Sequence, residues 1–350
     1  MKRTALTILL LTTAVMAAGF EGYLGPKRDG QYPQVNSIGK KLWTKSIGTG
    51  YSNVTVVGDA LYTMGNSNGM DTVYCLEAKT GKTTWTHTYR CSDGNFRGPR
   101  CTPSVFDGKV YTVSREGHIL CLNAKTGKPV WESHAKKFRC RPGRWGFANS
   151  PLIHDGLCVI DIGRIVAFDA KTGKTKWQTR TDYGQAYSSA IPMTLPGDKT
   201  VLLTFPARGL VVLDPKTGKA LGSIAWETKY NINAATPLIV GTNRVFISSD
   251  YDRGCAMLEI DATGKVKKVW ENKNMCTHFS NPMLHKGYLY GFSGNTTKTP
   301  PLVCLDAKTG KRTWSKKGIG DGGLIACGTN MIVIGNRGTV YLAPFSATGF

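Results

Sequence analysis

Short runs of apolar residues alternate with polar, glycine-bearing turns along almost the whole chain, and one phrase recurs between them. It is clearest at 305–311, Leu-Asp-Ala-Lys-Thr-Gly-Lys, with Trp314 three residues beyond. Related phrases, some close and some looser, stand at 76–82, 122–128, 168–174, 213–219 and 260–265. Such a repeat decides the architecture, because each copy is one supersecondary unit of the fold.

Each copy of the phrase has the chemistry of a β-hairpin. An apolar run ends at the Asp, a turn of Ala-Lys-Thr-Gly follows, and a second extended run carries the Trp. The Asp side chain can accept from backbone N–H groups in the turn, and the Gly supplies the left-handed residue that closes the loop. Two more short strands lie upstream, as at 102–113, so the pattern predicts four strands per repeat, which is one propeller blade.

The tryptophans count the repeats. Seven of them recur at intervals of 42–49 residues, a period that fits a four-stranded blade: Trp43, Trp85, Trp131, Trp177, Trp226, Trp270 and Trp314. In the looser fourth copy, Gly222 occupies the tryptophan position. Residues 39–44 are predicted to form an outer strand alone, and three strands' worth of sequence follow Trp314. The sequence therefore predicts an all-β, seven-bladed β-propeller of four-stranded antiparallel blades, with the N-terminal strand closing the last blade.

The N-terminus has the pattern of a secretory signal peptide. Lys2 and Arg3 precede an apolar stretch at 5–15, and small residues around Ala17 offer a cleavage point. The stretch is far shorter than the roughly 20 residues of a membrane-spanning helix. We expect a signal peptide at 1–18, a lead-in segment at 19–37, the propeller at 38–345 and a C-terminal tail at 346–350. The expected product is a periplasmic or secreted monomer without a transmembrane segment.

The composition adds a strong positive charge. Lys and Arg number 45 against 23 Asp and Glu, and removal of Lys2 and Arg3 with the signal peptide leaves +20. Many lysines lie in the repeated turn, where they either keep exposed turns soluble or attract lipid headgroups, acidic polysaccharide or another polyanion. Nucleic acid is not expected, because no nucleic-acid-binding motif accompanies the charge. The lysines expected to contact a polyanion are Lys79, Lys82, Lys125, Lys128, Lys171, Lys174, Lys308 and Lys311.

Ten cysteines in an exported chain raise the question of disulfides. Cys75, Cys121 and Cys304 occupy the same place in three different blades, so we expect them to be small core residues. Cys91 and Cys140 lie in the connections that lead to the next blades, and neighbouring connections can meet. We predict a Cys91–Cys140 disulfide, with Cys101 as a competing partner.

The sequence contains no strong catalytic or metal-binding motif. The six histidines show no His-x-x-x-His spacing, no Cys-x-x-Cys pair occurs, and both a Gly-x-Ser-x-Gly elbow and a phosphate-binding Gly loop are missing. The stretch 250–254, Asp-Tyr-Asp-Arg-Gly, could hold a cation, but a polar inter-strand loop is the better interpretation. We therefore expect no catalytic residue and no metal site.

Each blade opens with a stretch of polar and small residues. Because the first strand of a propeller blade is the innermost, these stretches should line one mouth of the central channel. Two interpretations stay open: the polar groups satisfy the crowded inner backbone and trapped water, or they form a pocket for a small polar or anionic ligand. The residues expected in such a pocket are Arg100, Arg144, Trp145, Tyr187, Asn233 and His278.

The repeated Leu-Asp-Ala-Lys-Thr-Gly-Lys-x-x-Trp resembles the repeat of the pyrroloquinoline-quinone-type (PQQ-like) β-propellers, and the likeness covers nearly the whole chain after the signal peptide. The resemblance implies the architecture but leaves the activity open, because the fold serves several functions. The family includes quinone-dependent alcohol and sugar dehydrogenases. It also includes a non-catalytic, BamB-like branch in outer-membrane protein assembly.

Departures from the dehydrogenase pattern favour the non-catalytic branch. The family's dehydrogenases have eight blades, acidic and amide ligands for calcium and a catalytic Asp, and many have adjacent cysteines. This chain has no Cys-Cys pair and almost no carboxylate in its channel-mouth stretches. The resemblance therefore implies an exported, non-enzymatic binding or scaffold module without a cofactor, whose partners are envelope proteins or an anionic surface polymer. The alternative is an oxidoreductase that depends on PQQ and calcium.

Overall fold

The computed structural model describes residues 22–92, 94–294, 299–320, 322–335 and 338–350. The expected signal peptide at 1–18 lies outside these residues. The described chain divides into two compact units. The first contains the residues up to Arg28 together with Ser37–Gln185, and the second contains Asp29–Asn36 and Ala186–Phe350. The first strand, β1 (Gln31–Tyr32), therefore belongs to the second unit.

The first unit contains three sheets, each made of four strands that follow one another in the chain. Sheet 1 contains β2 (Thr55–Val57), β3 (Ala60–Ser67), β4 (Met70–Glu77) and β5 (Thr83–Arg90). Sheet 2 contains β6 (Ser104–Phe106), β7 (Lys109–Val113), β8 (His118–Asn123) and β9 (Pro129–His134). Sheet 3 contains β10 (Leu152–His154), β11 (Leu157–Asp161), β12 (Ile165–Asp169) and β13 (Thr175–Gln178).

The second unit contains four sheets. Sheet 4 contains β14 (Ile191–Leu195), β15 (Lys199–Thr204), β16 (Gly209–Leu213) and β17 (Ala220–Ala225). Sheet 5 contains β18 (Leu238–Val240), β19 (Arg244–Ser249), β20 (Gly254–Ile260) and β21 (Val266–Asn272). Sheet 6 contains β22 (Met283–His285), β23 (Tyr288–Phe292), β24 (Leu302–Asp306) and β25 (Arg312–Lys316). Sheet 7 contains β26 (Gly323–Cys327), β27 (Asn330–Ile334) and β28 (Val340–Pro344), with β1 beside β26.

The described residues thus form seven four-stranded sheets, the number that the sequence predicts. Within each sheet, strands that are consecutive in the chain pair antiparallel. Helical structure in the described residues is limited to two 3₁₀ turns, Ala135–Phe138 and Lys229–Asn231. The middle strands carry the core, because most of their side chains are buried, whereas the side chains of the fourth strands are mostly exposed or half-buried. In β8, for example, Ile119 to Leu122 are buried on both faces.

An N-terminal strand does join the last sheet, as predicted, but it is a different strand from the one expected. Tyr32 and Gln31 in β1 pair in parallel with Cys327 and Ala326 in β26. Residues 39–44 form no strand. Trp43 instead contacts sheet 1, where its indole N–H donates to the Ala78 carbonyl at 2.9 Å.

The turn of the repeat has the predicted chemistry. In sheet 3, one carboxylate oxygen of Asp169 accepts from the Thr172 backbone N–H at 2.8 Å and from its hydroxyl at 2.9 Å. Gly173 has a φ of +72° and donates its N–H to the Asp169 carbonyl at 2.8 Å. Asp169 and Gly173, at the two ends of the turn, therefore hydrogen-bond its polar groups and supply its left-handed residue. The local sequence thus specifies the geometry of the hairpin.

The recurring tryptophan joins each hairpin to the turn that lies one repeat further along the chain. Its ring covers the turn glycine, and its indole N–H donates to the carbonyl of the residue three positions before that glycine. We call this contact the tryptophan–turn contact. Its donor–acceptor pairs are Trp43–Ala78 (2.9 Å), Trp85–Ala124 (2.9 Å), Trp131–Ala170 (2.9 Å) and Trp270–Ala307 (3.1 Å). Trp314 donates in a similar way to the Ser346 carbonyl at 2.8 Å, but no ring in the described part of the chain covers Gly349, the glycine three positions further on.

Sheet 4 departs from this pattern, as the sequence indicates. Gly222 pairs with Val212 at the position that a tryptophan takes in the neighbouring repeats. The β carbon of Leu221 covers the turn glycine Gly264 in place of a ring. Trp226 lies beyond the strand, is almost fully buried, and donates to the Ser249 hydroxyl at 3.1 Å.

The segments at both ends of the described chain contact sheets. Arg28, in the lead-in segment, is buried, and its guanidinium donates to the Pro151 carbonyl and to the Ser104 hydroxyl. Burial lowers the pKa of Arg28 to about 10. At the other end, Phe345 stacks on His285 with the ring centroids 4.3 Å apart.

The ten cysteines are buried free thiols, so the predicted Cys91–Cys140 disulfide is wrong, and Cys101 is unpaired as well. Cys140 follows the 3₁₀ turn Ala135–Phe138, and its N–H donates back to Ala135 at 3.2 Å. This local fold holds Cys140 against its own sheet. Cys75, Cys121 and Cys304 lie in the core as predicted, each directly across from the tryptophan of its hairpin.

We predict that Gly173→Ala destabilises the protein more than Gly156→Ala. Both glycines lie in turns of sheet 3 with φ near +70°, at +72° and +73°. An added β carbon at Gly173 would lie 2.7 Å from the Trp131 ring, whereas nothing lies within 4 Å at Gly156. Left-handed strain should cost about 1 kcal/mol at Gly156, and overpacking should raise the cost to about 2–4 kcal/mol at Gly173.

Denaturant unfolding of the two variants measures this difference, with Gly156→Ala as the control for backbone strain alone. Equal losses of stability would mean that the tryptophan–turn contact adapts to an extra methyl group at no cost.

Candidate functional site

The two ends of each sheet carry different chemistry. Because the strands alternate in direction, the repeated turn between the third and fourth strands lies at one end of a sheet. The connection to the next sheet, and the turn between the second and third strands, lie at the other end. We call these the turn end and the connection end.

The lysines expected to contact a polyanion lie at the turn end, and all are exposed. Lys79 pairs with Asp59 at 3.2 Å, an ion pair between two exposed side chains. Such pairs contribute little to stability. The exposure of these lysines agrees equally with a role in solubility and with a role in polyanion binding, so the polyanion contact stays a prediction.

Arg100 lies at the connection end of the first unit, where it holds two loops together. Its guanidinium donates to the carbonyls of Gly98 and Phe96, each at 2.6 Å. The guanidinium carbon also lies 5.2 Å from the centre of the Tyr51 ring. Phe96 and Tyr51 are both exposed, so Arg100 supports two aromatic side chains on the surface of this unit.

Arg144 and Trp145 lie in a second connection of the first unit. The Arg144 guanidinium carbon lies 5.2 Å from the centre of the neighbouring Trp145 ring. Gly143 donates its N–H to the Gln185 side chain at 3.0 Å, which fixes the start of this loop. Arg144 is exposed and Trp145 is half-buried, so this pair offers a cation and a flat face at the surface.

Asn233, in the second unit, serves the fold and not a pocket, which corrects the expectation from sequence. Its side chain is fully buried. The amide donates to the carbonyls of Pro206 at 2.8 Å and Trp226 at 3.0 Å, and its oxygen accepts from the Ser249 hydroxyl at 2.8 Å. The Asn233 carbonyl accepts the Tyr187 N–H at 3.1 Å. Asn233 therefore satisfies polar groups of the inner backbone.

His278 lies within a group of aromatic side chains at the connection end of the second unit. Its ring centroid is 4.7 Å from that of Phe279 and 5.6 Å from that of Tyr251. Tyr251 also meets Tyr230 edge to face at 5.4 Å. Burial lowers the pKa of His278 to about 4, so the ring is neutral at neutral pH. We call Tyr230, Tyr251, His278 and Phe279 the aromatic cluster.

An arginine borders this region. The guanidinium carbon of Arg253 lies 3.4 Å from the centre of the Trp226 ring, and one guanidinium nitrogen lies 2.6 Å from a Glu271 oxygen. Sequence reasoning treated 250–254 as a polar loop and missed this role of Arg253. The sequence feature that could have indicated this role is Trp226, which lies four residues after the expected tryptophan position. From there its ring contacts the turn of the next sheet.

Tyr230 and Phe279 give the aromatic cluster an exposed apolar surface. Tyr230 is 48% exposed and Phe279 is 56% exposed. Large aromatic side chains and arginine dominate the binding energy of protein interfaces. The arrangement can therefore bind a partner that supplies apolar side chains.

Three carboxylates among the described residues are buried, those of Asp71, Asp161 and Asp250. They belong to different sheets, and Asp250 directly follows β19 of sheet 5. Asp71 lies in sheet 1 and Asp161 in sheet 3. Burial raises the pKa of Asp161 to about 7, although the Gly163 N–H donates to the carboxylate. Burial also raises the pKa of Asp71.

One set of potential metal ligands comes together where the sequence predicted none. Single ligand atoms of Cys91, Glu116 and His118 lie within 4.8 Å of one another. It is the one such group of three His, Cys, Asp or Glu ligands found among the described residues. Sequence reasoning missed it because Cys91 follows sheet 1, whereas Glu116 and His118 belong to sheet 2, and the three residues match no standard spacing.

No helix among the described residues has both the length and the apolar character to span a membrane.

Comparison with known proteins agrees with the repeat. The family described as outer membrane protein assembly factor BamB matches residues 34–137 and 71–316. This chain belongs to that family. It is 27% identical over 248 residues to the outer membrane protein assembly factor BamB of Burkholderia pseudomallei (strain K96243), an alignment that covers 62% of this chain. The chain spans about half the length of that relative, because the alignment covers 56% of it.

Solved structures show the fold. The crystal structure of BamB from Moraxella catarrhalis matches with a TM-score of 0.62 at 18% identity, covering 89% of this chain and 88% of the other. A europium-containing methanol dehydrogenase matches with the same TM-score at 14% identity, covering 95% of this chain and 87% of the other. These likenesses confirm the predicted β-propeller fold, and the match of the family model confirms the predicted PQQ-like, BamB-like repeat family.

We predict that His278 makes the protein less stable in mild acid. Its pKa is about 4 in the folded state and about 6.5 when unfolded, so acid favours the unfolded chain. The stability that a neutral His278 contributes is complete above about pH 6.5 and is lost as the pH falls towards 4. The loss should reach about 3 kcal/mol.

Denaturant unfolding of the wild type and of His278→Gln at a series of pH values measures this contribution. The difference in stability between the two proteins should be constant from pH 7 to 8 and should shift in favour of the variant below pH 6. A difference that does not change with pH would contradict a lowered pKa at His278.

Proposed function

We propose that this chain is an exported, non-enzymatic β-propeller that acts as a scaffold in the assembly of outer-membrane proteins. The observation that carries the proposal is membership of the BamB family over residues 34–316. The relative from Burkholderia pseudomallei is itself described as an outer membrane protein assembly factor. The pattern of a secretory signal peptide at 1–18 supports a location in the cell envelope.

The aromatic cluster supports a particular binding surface for an envelope protein. Tyr230 and Phe279 present exposed rings, and the neighbouring Tyr251 and His278 hold those rings by edge and face contacts. Arg253 adds a cation that is held between Trp226 and Glu271. A preorganised aromatic surface loses little conformational entropy on binding, so it suits a partner that contributes apolar side chains.

We also propose that the protein works without PQQ and calcium. The alternative, oxidation of alcohols or sugars with PQQ and calcium, requires acidic ligands beside the quinone. Asp71 and Asp161 lie in different sheets, and the grouped ligands Cys91, Glu116 and His118 include a thiol, whereas calcium prefers oxygen. The donor chemistry of the described residues therefore favours the scaffold.

The assembly function predicts a loss of folded outer-membrane β-barrel proteins when the gene is deleted in the source organism. The wild-type chain should restore them. The double variant Tyr230→Ser/Phe279→Ser should restore them poorly, because it removes the exposed rings. Heat-modifiable mobility on gels, which separates folded from unfolded barrels, measures the outcome.

The matched control is Phe106→Ser, since Phe106 is similarly exposed at 46% but lies at the turn end of sheet 2. This variant should restore barrel folding fully. Unchanged barrels in the deletion strain would overturn the proposed function. Full restoration by the double variant would leave the function standing and reject the aromatic cluster as its surface.

Calorimetric titration with PQQ and calcium tests the alternative. We expect no heat of binding and no dye-linked oxidation of methanol or glucose, with an authentic quinoprotein dehydrogenase run in parallel as the positive control. Stoichiometric binding with turnover would contradict a non-enzymatic scaffold.

A further inference from the structure

We propose that Cys91, Glu116 and His118 form a binding site for a zinc-class divalent metal ion in the first unit. One ligand atom from each residue lies within 4.8 Å of the others. In a tetrahedral zinc site, with bonds of about 2.0–2.3 Å, neighbouring ligand atoms are roughly 3.5 Å apart. A closure of about 1 Å would therefore complete the geometry, and the half-buried Glu116 side chain has room to provide it.

Two elements at the connection end place the three residues. Cys91 follows β5 directly, and its N–H donates to the Gly69 carbonyl at 2.9 Å. Its own carbonyl accepts from the Asn66 side chain at 3.1 Å. The position of the thiol is thus fixed by backbone bonds to the turn between β3 and β4.

Glu116 and His118 come from the turn between β7 and β8. The Ser114 hydroxyl accepts the Gly117 N–H at 3.1 Å and the His118 N–H at 2.9 Å, which closes this turn. Gly117 has a φ of +98°, and a β carbon there would lie 2.7 Å from Ala135. The turn is therefore held rigidly, with its two ligand residues on either side of the glycine.

Each ligand has a neighbour that orients it, as ligands in metal sites do. His118 Nδ1 lies 2.9 Å from the Ser114 hydroxyl. The Glu116 carboxylate accepts from the Ser92 hydroxyl at 2.6 Å and from the Ser92 backbone N–H, which together orient it.

The ligand charges match a divalent cation. A Cys91 thiolate and the Glu116 carboxylate carry two negative charges between them, and His118 binds as the neutral ring. Burial and the neighbouring carboxylate of Asp71 raise the pKa of the Cys91 thiol, so a metal ion has to displace the thiol proton when it binds, while the same carboxylate attracts the cation. Arg115 next to Glu116 and Lys136 near His118 oppose this attraction, so a cation gains affinity chiefly from direct bonds to the ligands.

The ligand set selects the class of metal. A thiolate and an imidazole favour Zn²⁺ and its transition-metal neighbours over Mg²⁺ and Ca²⁺. Three protein ligands leave a fourth position for water. His134 lies beside His118, with the two ring centroids 4.7 Å apart and the rings edge to face. Its Nδ1 accepts the Lys136 N–H at 3.2 Å, so the proton of the neutral ring is on Nε2.

The test uses Co²⁺ as a spectroscopic substitute for Zn²⁺ on the metal-free full-length mature protein, kept reduced with a non-chelating phosphine. We expect one equivalent of Co²⁺ to produce a thiolate-to-cobalt charge-transfer band and visible bands of tetrahedral intensity. One equivalent of Zn²⁺ should then remove both. The proposal would be overturned if the charge-transfer band were absent. It would also be overturned if several equivalents of Co²⁺ bound weakly, as they would to surface carboxylates and histidines.

Variants assign the ligands. Cys91→Ser should abolish the charge-transfer band, and Glu116→Gln should weaken Co²⁺ binding by roughly 10-fold or more. Cys140→Ser, at another buried cysteine of the same unit, is the matched control and should leave the spectrum unchanged. Circular dichroism confirms folding. If Cys91→Ser fails to fold, the half-buried Glu116→Gln still decides the matter, because unchanged affinity in that variant would contradict the site.

This inference does not depend on the assembly function. A protein that binds Co²⁺ as described and has no effect on outer-membrane barrels would keep the metal site and lose only the scaffold proposal.

Discussion

The contact between a tryptophan of one hairpin and the turn of the next repeat is the interaction on which the rest of this structure depends. One four-stranded repeat cannot bury its apolar surface alone, and most side chains of its fourth strand are exposed or half-buried. The indole covers part of that strand, hydrogen-bonds the next turn, and packs on a glycine where a β carbon would lie 2.5–2.8 Å from the ring at Gly81, Gly127, Gly173 and Gly310. One aromatic residue therefore couples the stability of two consecutive repeats.

This contact also explains why the turn is so uniform. The glycine must be free of a side chain to accept the ring and must adopt positive φ to close the hairpin, so two constraints coincide at one position. The acidic residue and the threonine hydrogen-bond each other within the turn. The lysines of the turn are exposed to solvent and take no part in the packing. The connection end has no such constraint, and residues there differ from one repeat to the next. Specific chemistry can therefore accumulate at the connection end without weakening the repeat.

Much of the fold could be predicted because the repeat is local. The hairpin turns, the period of the tryptophans and the departure at Gly222 follow from residues close together in sequence. The strand that joins sheet 7 could not be predicted, because β1 has only two residues and its parallel pairing carries no local signal. Trp43 misled the prediction for a related reason: it marks a tryptophan–turn contact, and the contact does not require a strand.

The candidate site was less predictable, because it depends on contacts between repeats. Arg100 and His278 do lie at the connection end in aromatic surroundings. Asn233, in contrast, is buried and hydrogen-bonds backbone carbonyls of its own unit. The predicted Cys91–Cys140 disulfide was wrong because two connections that are neighbours in sequence need not bring their cysteines together. The path of each connection depends on its own local contacts. The grouping of Cys91 with Glu116 has the same origin, since no spacing rule relates residues on separate sheets.

Sheet 4 shows how an irregular repeat creates a site. Without a tryptophan at Gly222, the fourth strand approaches the next turn so closely that a β carbon at Gly222 would lie 2.3 Å from the Gly264 carbonyl oxygen. The tryptophan lies four residues later, at Trp226, where its ring stacks under Arg253 and its carbonyl accepts from Asn233. The same displacement leads the chain into the 3₁₀ turn that carries Tyr230. A substitution that weakens one tryptophan–turn contact has thus placed an aromatic ring and an arginine beside the aromatic cluster, and local loss of the repeat is the physical cause of the surface to which we assign binding.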